Sequence, residues 1–467
     1  MRNKMRKAGI FSLTALFLLI SGLDRPIFSQ QPEKMILTLE KSIELALSQN
    51  PQHQANKEQV STASAKVKQA RSGFLPSLNG QGLRTVAEKP MELEFPSFIP
   101  GEPPQRVEVD FTRDYQFALS LQLPLFTGGK LSSVYKQAQQ NLAFSKESVR
   151  QSEFLTVFNT KRAFFGYLLA KEFVSVAEEA VNVAEENLKN VKNMYEVGMA
   201  SKMDLLRSEV QLANLQPQLI QAKNNLNLAE LGLKTLLGLD LSQEVEIRGE
   251  LTYEPFEPEV DKCINQALFS RPEVRQMDFQ LKMAGQSLKL ARSEYLPTVA
   301  ITGSYNFWAD KFNFKEGTWQ NYYSVNLALT VPIFNGFRTS AKIGESKAMI
   351  RQIELTQKAL GEAVKLEVRQ AVLLIEEAKK SLLSQEKNIE QAKESLRIAQ
   401  LNFSEGMATS LDVFAAEAAY SQARTNYAMA LYDYSVALAQ LEKAVGADIQ
   451  NLNVNAQPAL TEDDDEG

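Results

Sequence analysis

Two short phrases in this 467-residue chain set a hydroxyl three residues ahead of a carboxylate: Ser201-Lys-Met-Asp204 and Thr409-Ser-Leu-Asp412. This spacing fits a capping box, in which the acid returns to satisfy a backbone N–H left free at a helix start. A structural role is therefore the first reading of Asp204 and Asp412. Other chemistry is scarce. One histidine (His53) and one cysteine (Cys263) leave no zinc spacing, no internal disulfide and no Ser/His/Asp set. There is no phosphate-binding glycine loop. Met194, Met199, Met203 and Met407 crowd around the two phrases and invite a copper-handling reading, but apolar seam and tip positions explain them more simply. His53 sits in a helical stretch with no partner nearby in sequence, and polar packing is its default. No enzyme, no cofactor and no resident metal are expected.

The elements that position these residues are long helices. Stepping from Val364 by alternating intervals of four and three reaches Val368, Ala371, Ile375, Ala378, Leu382, Gln385, Ile389, Ala392, Leu396, Ala399 and Phe403, with Gln385 alone polar. A period of 3.5 held this long describes a helix that supercoils left-handedly against its neighbours. One seam position is mostly alanine, which lets helix axes approach closely. The same pattern stands 208 residues earlier, from Ala163 through Tyr167, Ala170, Val174, Ala177, Val181, Ala184, Leu188 and Val191 to Tyr195.

The repeat extends beyond the helix. Arg71-Ser-Gly-Phe-Leu-Pro76 returns as Arg292-Ser-Glu-Tyr-Leu-Pro297, and Ala46-Leu-Ser-Gln-Asn-Pro51 as Ala267-Leu-Phe-Ser-Arg-Pro272, both displaced by 221. After each proline the period changes to two. Phe117, Leu119, Leu121, Leu123 and Leu125 alternate with Gln116, Ala118, Ser120 and Gln122, as do Tyr323, Val325, Leu327, Leu329 and Val331 with Ser324, Asn326, Ala328 and Thr330. These are two-faced strands, expected at about 113–126 and 320–334, each preceded by a partner at about 77–86 and 298–310. The intervening loops are a long Pro-rich one (88–110), expected to be irregular, and a short one (310–318). Pro124-Leu-Phe-Thr-Gly128 and Pro332-Ile-Phe-Asn-Gly336 end the hairpins. Long helices follow, stopping at Gly198 and Gly406, and return helices run to Leu237 and Val445. Pro217 is expected to kink or break the first return helix.

The ends of the chain are read separately. Arg2, Lys4, Arg6 and Lys7 precede an apolar run over 8–20, too short to span a bilayer: a signal peptide, taken as 1–30. No later run is apolar enough for a transmembrane helix, so membrane contact falls to the strands, and no cysteine follows the signal to carry a lipid anchor. The acidic run 462–466 reads as part of a disordered tail (451–467). With 51 basic and 56 acidic residues the net charge is −5, which argues against a nucleic-acid surface. Repeats of 31–250 and 251–450 remain. Each chain supplies four strands, too few to close a barrel, so oligomerisation is expected; three copies give twelve.

In this order, twice over, the residues resemble the TolC-like outer-membrane efflux proteins. The Phe/Tyr-Leu-Pro entries (Pro76, Pro297) and Pro-Leu/Ile-Phe-x-Gly exits (Pro124, Pro332) match the family's barrel–helix junctions. Tyr195-Glu-Val-Gly-Met-Ala-Ser-Lys-Met-Asp204 and Phe403-Ser-Glu-Gly-Met-Ala-Thr-Ser-Leu-Asp412 match its periplasmic tips. The resemblance implies a mainly α fold with a transmembrane β part: a homotrimeric twelve-stranded β-barrel in outer-membrane lipid, continued by an α-helical coiled-coil barrel. It implies a passive duct for small molecules or proteins in a Gram-negative tripartite efflux or type I secretion system, with a periplasmic adaptor and an inner-membrane pump as partners. Gly198, Met199, Gly406 and Met407 would contact the adaptor; the family more often has Leu after the glycine. Asp412, with Asp204 in the matching place, would belong to a periplasmic gate, three copies of Asp412 forming a carboxylate ring. Ala415, Phe403 and Ala408 stand where some members carry a second acid and a tyrosine–arginine lock, so the closed end here rests on packing or on other residues. The competing reading is an exported coiled-coil scaffold without a pore, which leaves the alternating hairpins unexplained.

Overall fold

The computed structural model describes residues 34–86, 91–109, 115–313 and 315–448. The expected signal segment and acidic tail lie outside the described residues. The first half runs β1 (Met35–Leu37), α1 (Leu39–Gln49), α2 (Pro51–Ser72), β2 (Ser77–Arg84), β3 (Met91–Phe95), β4 (Gln105–Val109), β5 (Tyr115–Phe126), α3 (Lys130–Glu196), α4 (Lys202–Leu237) and β6 (Val245–Ile247). The second runs α5 (Val260–Ser270), α6 (Pro272–Ser293), β7 (Thr298–Ala309), β8 (Gln320–Thr330), α7 (Arg338–Ser404) and α8 (Ser410–Val445). The repeat holds to the residue in its helices: α3 and α7 have 67 residues each, α4 and α8 have 36. At 1.5 Å per residue the long helices reach about 100 Å.

The 3.5-residue seam is what these helices bury. Val364, Val368, Ala371, Ile375, Ala378, Leu382 and Leu396 of α7 are all buried, as are Val174, Val181, Ala184 and Val191 of α3. Helix α7 packs on α8, and α3 on α4; α3 also packs on α6 and α8, joining the halves. Each half has its own core where the short helix meets the long pair. Leu37, Leu45, Ala46, Phe164, Leu168, Leu233, Leu237 and Ile247 form one. Around Val368, Ala371, Ile375 and Tyr434 lies the other, into which Cys263 is buried. The first core is closed by a parallel pairing of β1 with β6, Met35 to Val245 through Leu37 to Ile247, which the sequence reading did not anticipate.

The strands form one antiparallel sheet in the order β2-β5-β7-β8. Three expectations need correction. The loop after β2 is not irregular: it carries the antiparallel hairpin β3–β4, with Glu94 and Arg106 ion-paired at its tip. Of the two readings of Pro217, the break is overturned: helix α4 runs continuously through it. Strand β8 stops at Thr330 rather than 334, because its partner β7 begins at Thr298, which pairs with Thr330 and leaves nothing beyond to bond. Pro332 therefore lies past the strand, whereas Pro124 lies inside β5, at a register irregularity where β2 no longer pairs. A proline without an N–H is tolerated there.

Candidate functional site: strand faces and helical tips

Register makes the sheet two-sided. Phe117, Leu119, Leu121 and Leu123 of β5 stand opposite Phe307, Tyr305, Gly303 and Ile301 of β7; Tyr305, Gly303 and Ile301 in turn face Tyr323, Val325 and Leu327 of β8, and Phe307 faces Asn321. On this face Tyr323, Val325, Leu327 and Leu329 are 65–77% exposed in the protomer. So large an apolar surface on strands of membrane-spanning length belongs against lipid. The other face carries Gln116, Ser120 and Gln122, then Thr302, Ser304 and Asn306, then Ser324 and Asn326. Its hydroxyls and amides bond across and along the strands: Ser304 Oγ of β7 lies 2.9 Å from Ser324 Oγ of β8, and within β7 Asn306 Nδ2 donates to Ser304 Oγ at 3.0 Å. This is the face that suits water.

At the other end of the long helices each tip is built by the same two devices. Gly198 and Gly406 take φ of +80° and +71°, a left-handed conformation that suits glycine. Gly198 N–H donates to Tyr195 O and Met199 N–H to Met194 O (3.0 and 2.7 Å); Gly406 and Met407 repeat this to Phe403 O and Asn402 O (3.1 and 2.8 Å). These are paired Schellman bonds, satisfying carbonyls at the helix end. The next three residues turn the chain into the return helix. Asp204 accepts from Ser201 N–H at 3.2 Å and Ser201 Oγ at 2.6 Å, and its own N–H donates to Ser201 Oγ at 3.2 Å. Asp412 accepts from Thr409 N–H and Oγ1 at 2.8 and 2.7 Å. Hydrogen bonds from Ser201 and Thr409 hold the two carboxyls below the ordinary aspartate range.

Both tips thus end on an apolar side chain with nothing to cover it: Met199 is 78% exposed and Met407 73%. A Cβ added at Gly198 or Gly406 would meet no atom within 4 Å, so the glycines are demanded by backbone conformation and not by crowding.

The junction residues are less alike. Pro76 and Pro297 each follow a turn whose amides bond back to the preceding helix, Phe74 to Arg71 O and Tyr295 to Arg292 O, both at 3.1 Å. At the exits, Gly128 packs so tightly on the second entry that a Cβ there would lie 2.7 Å from Leu296 Cβ, while Gly336 has open space.

Other polar groups were legible only in part. Arg424 of α8 bridges Glu172 and Glu179 of α3, and Lys161 of α3 pairs with the half-buried Glu442 of α8. Glu417 and Arg424 stand seven apart on the Ala-rich α8, and that spacing was the available signal for charges on one face. His53 is fully buried, its Nδ1 3.1 Å from Ser152 Oγ. Among the described residues no group of acids, His and Cys is placed to hold a metal, and no helix is long and apolar enough to cross a membrane.

A duplicated coiled coil that ends in a two-faced sheet defines a membrane duct protein with a long helical extension. The family model described as outer membrane efflux protein matches residues 42–239 and 263–447, and the chain belongs to that family. It is similar to the probable outer membrane lipoprotein SilC of Salmonella typhimurium, 22% identical over 78% of this chain and 77% of that one. It is also similar to the alkaline protease secretion protein AprF of Pseudomonas aeruginosa, 24% identical over 72% of each. The Campylobacter jejuni CmeC outer membrane channel has the same fold, with a TM-score of 0.72 at 18% identity, covering 87% of this chain and 85% of that one. The protein is an outer-membrane efflux duct with a periplasmic helical tunnel.

Proposed function

We propose that three copies of this chain close a twelve-stranded barrel and a tube of twelve long helices. The trimer is the passive conduit of a tripartite efflux or type I secretion machine, with no chemistry of its own. The observation that carries this is a mismatch between equivalent faces of the two repeats. In the first repeat α3 is covered by α8: Phe158 lies under Lys443 Nζ at 5.5 Å, and a Cβ at Gly166 would touch Tyr432 at 3.9 Å. The equivalent residues of α7, Leu366 and Leu374, are 58% and 40% exposed. The face of α8 that does the covering includes buried Ala428 and Ala439; their equivalents on α4, Ile220 and Leu231, are 68% and 39% exposed. One bare face on α7 and one on α4 complement each other between copies as α3 and α8 do within one. Open space at Gly336 and the exposed Leu75 repeat the pairing of Gly128 with Leu296 at the junctions.

An adaptor and an inner-membrane pump complete the machine, the exposed Met199 and Met407 beside Gly198 and Gly406 being the adaptor's footholds. Asp412 is a helix cap that also faces the lumen at the closed end, where three copies attract cations. SilC and AprF carry different names for their work, so cargo is left to the pump. Single-channel recording of the purified protein in a planar bilayer tests the reading: small, discrete, cation-preferring openings are expected, with the preference lost in Asp412→Ala. A protein that gives no channel and stays monomeric in solution returns the scaffold.

A further inference from the structure

A cavity of about 460 Å³ opens between α3, α4 and α8, two turns into α8 from the tip. Its α3 wall is apolar, with Phe173 and Val176, and Phe414 of α8 adds a second ring; Gln211 and Gln218 of α4 face them. Into this space comes Glu417, 5% exposed. Its Oε1 accepts from Ser421 Oγ at 2.9 Å, while Oε2 has no hydrogen-bond partner. The neighbouring cation, Arg424, is held by Glu172 and Glu179 and does not bond Glu417. Burial pushes the Glu417 carboxyl above its ordinary range, as expected of a charge short of a partner.

The cavity is not a by-product of the duplication. Glu209, the equivalent of Glu417, is exposed. The α7 residues matching Phe173, Val176 and Ala180 are Ser381, Ser384 and Asn388, so no second apolar wall exists. The site occurs once per chain, and the chain keeps there a buried carboxylate oxygen that packing alone would disfavour.

We propose that this cavity binds a small amphipathic organic cation. An amidinium, guanidinium or primary ammonium head donates to Glu417 Oε2, and a flat apolar body lies on Phe173, Val176 and Phe414. The volume is that of a small-molecule pocket, and a charge-assisted bond beside an apolar wall is what discriminates a cation from its neutral isostere. All three helices belong to one chain, so the site stands whether or not the assembly proposed above is correct.

The test uses the full-length protein in phosphatidylcholine nanodiscs, titrated with benzamidine and with neutral benzamide by calorimetry and saturation-transfer NMR. Saturable binding of benzamidine at one site per chain is expected, with benzamide about tenfold or more weaker. Glu417→Gln keeps the shape and removes the charge, and should weaken benzamidine about tenfold while leaving benzamide unchanged. Ala180→Phe fills the cavity and should abolish both. Equal binding of the two probes to the wild type overturns the proposal, as does benzamidine binding left at wild-type strength by either variant, or the absence of saturable binding. If a variant loses its fold, the comparison of the two probes on the wild type still decides.

Discussion

The tip aspartates show how much one carboxylate is asked to do. Asp412 holds the first turn of α8 through the Thr409 amide and hydroxyl, and its folded-state pKa is depressed by those bonds. A depressed carboxyl contributes stability that is present above its unfolded value, about 3.9, and is lost as pH falls through the folded value. Protection of the amides at residues 409–413, relative to their intrinsic exchange rates, should therefore fall below about pH 4, and Asp412→Asn should show the same low protection already at neutral pH. His53 works with the opposite charge. Burial, helped by Lys57, lowers its pKa, so the unfolded chain takes up a proton before the folded one does. Its stabilising effect is present above about 6.5 and is lost as pH falls below it. His53→Leu should flatten the melting temperature between about pH 6.5 and 5, while the wild type falls. The capping role was readable from Ser201-x-x-Asp204 and Thr409-x-x-Asp412 because it depends on neighbours three residues apart. Nothing within ten residues of His53 announced Ser152, its partner across α2 and α3.

At the scale of elements, the two repeats serve as controls for each other. Phe337 precedes α7 with φ +63°, where the first repeat has Gly129. A side chain in that region costs about 1–2 kcal/mol, so Phe337→Gly should raise the unfolding free energy by about 1 kcal/mol. A fall instead would mean that its edge-on contact with Phe334, at 5.5 Å, outweighs the strain. On the sheet, the two faces predict opposite outcomes for one substitution. Leu327→Arg puts a charge on the apolar face and should cost about 2–4 kcal/mol of folding in bilayers. Asn326→Arg, one residue away on the polar face, should fold normally and move ion selectivity towards anions. The helices were legible nearly to the residue, because a heptad seam declares itself over tens of residues and glycines mark its end. Strand ends were less so: where β8 stops depends on where β7 starts, and the hairpin β3–β4 is hidden among prolines. The pairing of Met35–Leu37 with Val245–Ile247 joins three-residue strands more than two hundred residues apart, too short for any periodicity.

For the whole molecule, assembly should depend on faces that a single chain leaves bare. Leu366→Glu on α7 or Ile220→Glu on α4 should yield monomers by light scattering in detergent, with helical content retained. Leu155→Glu, at a position equally apolar and 47% exposed but outside the two complementary faces, should leave the trimer intact. Trimers that persist in both of the first variants would remove the packing argument for the ring. Charge plays a lesser part: the α3–α8 contact uses Arg424 with Glu172 and Glu179, whereas the equivalent positions, Gln216 with Lys380 and Lys387, carry no such complement. In the proposed trimer, apolar surface and shape carry the contact between copies.

The alanines of the seam have one more consequence. Helices with small residues at the contact sit about 8 Å apart, and bulkier ones about 10 Å. Twelve helices set side by side at about 9 Å have a perimeter near 108 Å and an axis-to-axis diameter of about 34 Å; subtracting one helix width of about 10 Å leaves a bore of about 24 Å. Each extra ångström of spacing would widen that bore by about 4 Å. In the proposed trimer, Ala371, Ala378, Ala392 and Ala399, with Ala163, Ala170, Ala177 and Ala184, therefore act as a ruler, setting the calibre of the tube, and with it the largest cargo that fits, from side chains the cargo never touches.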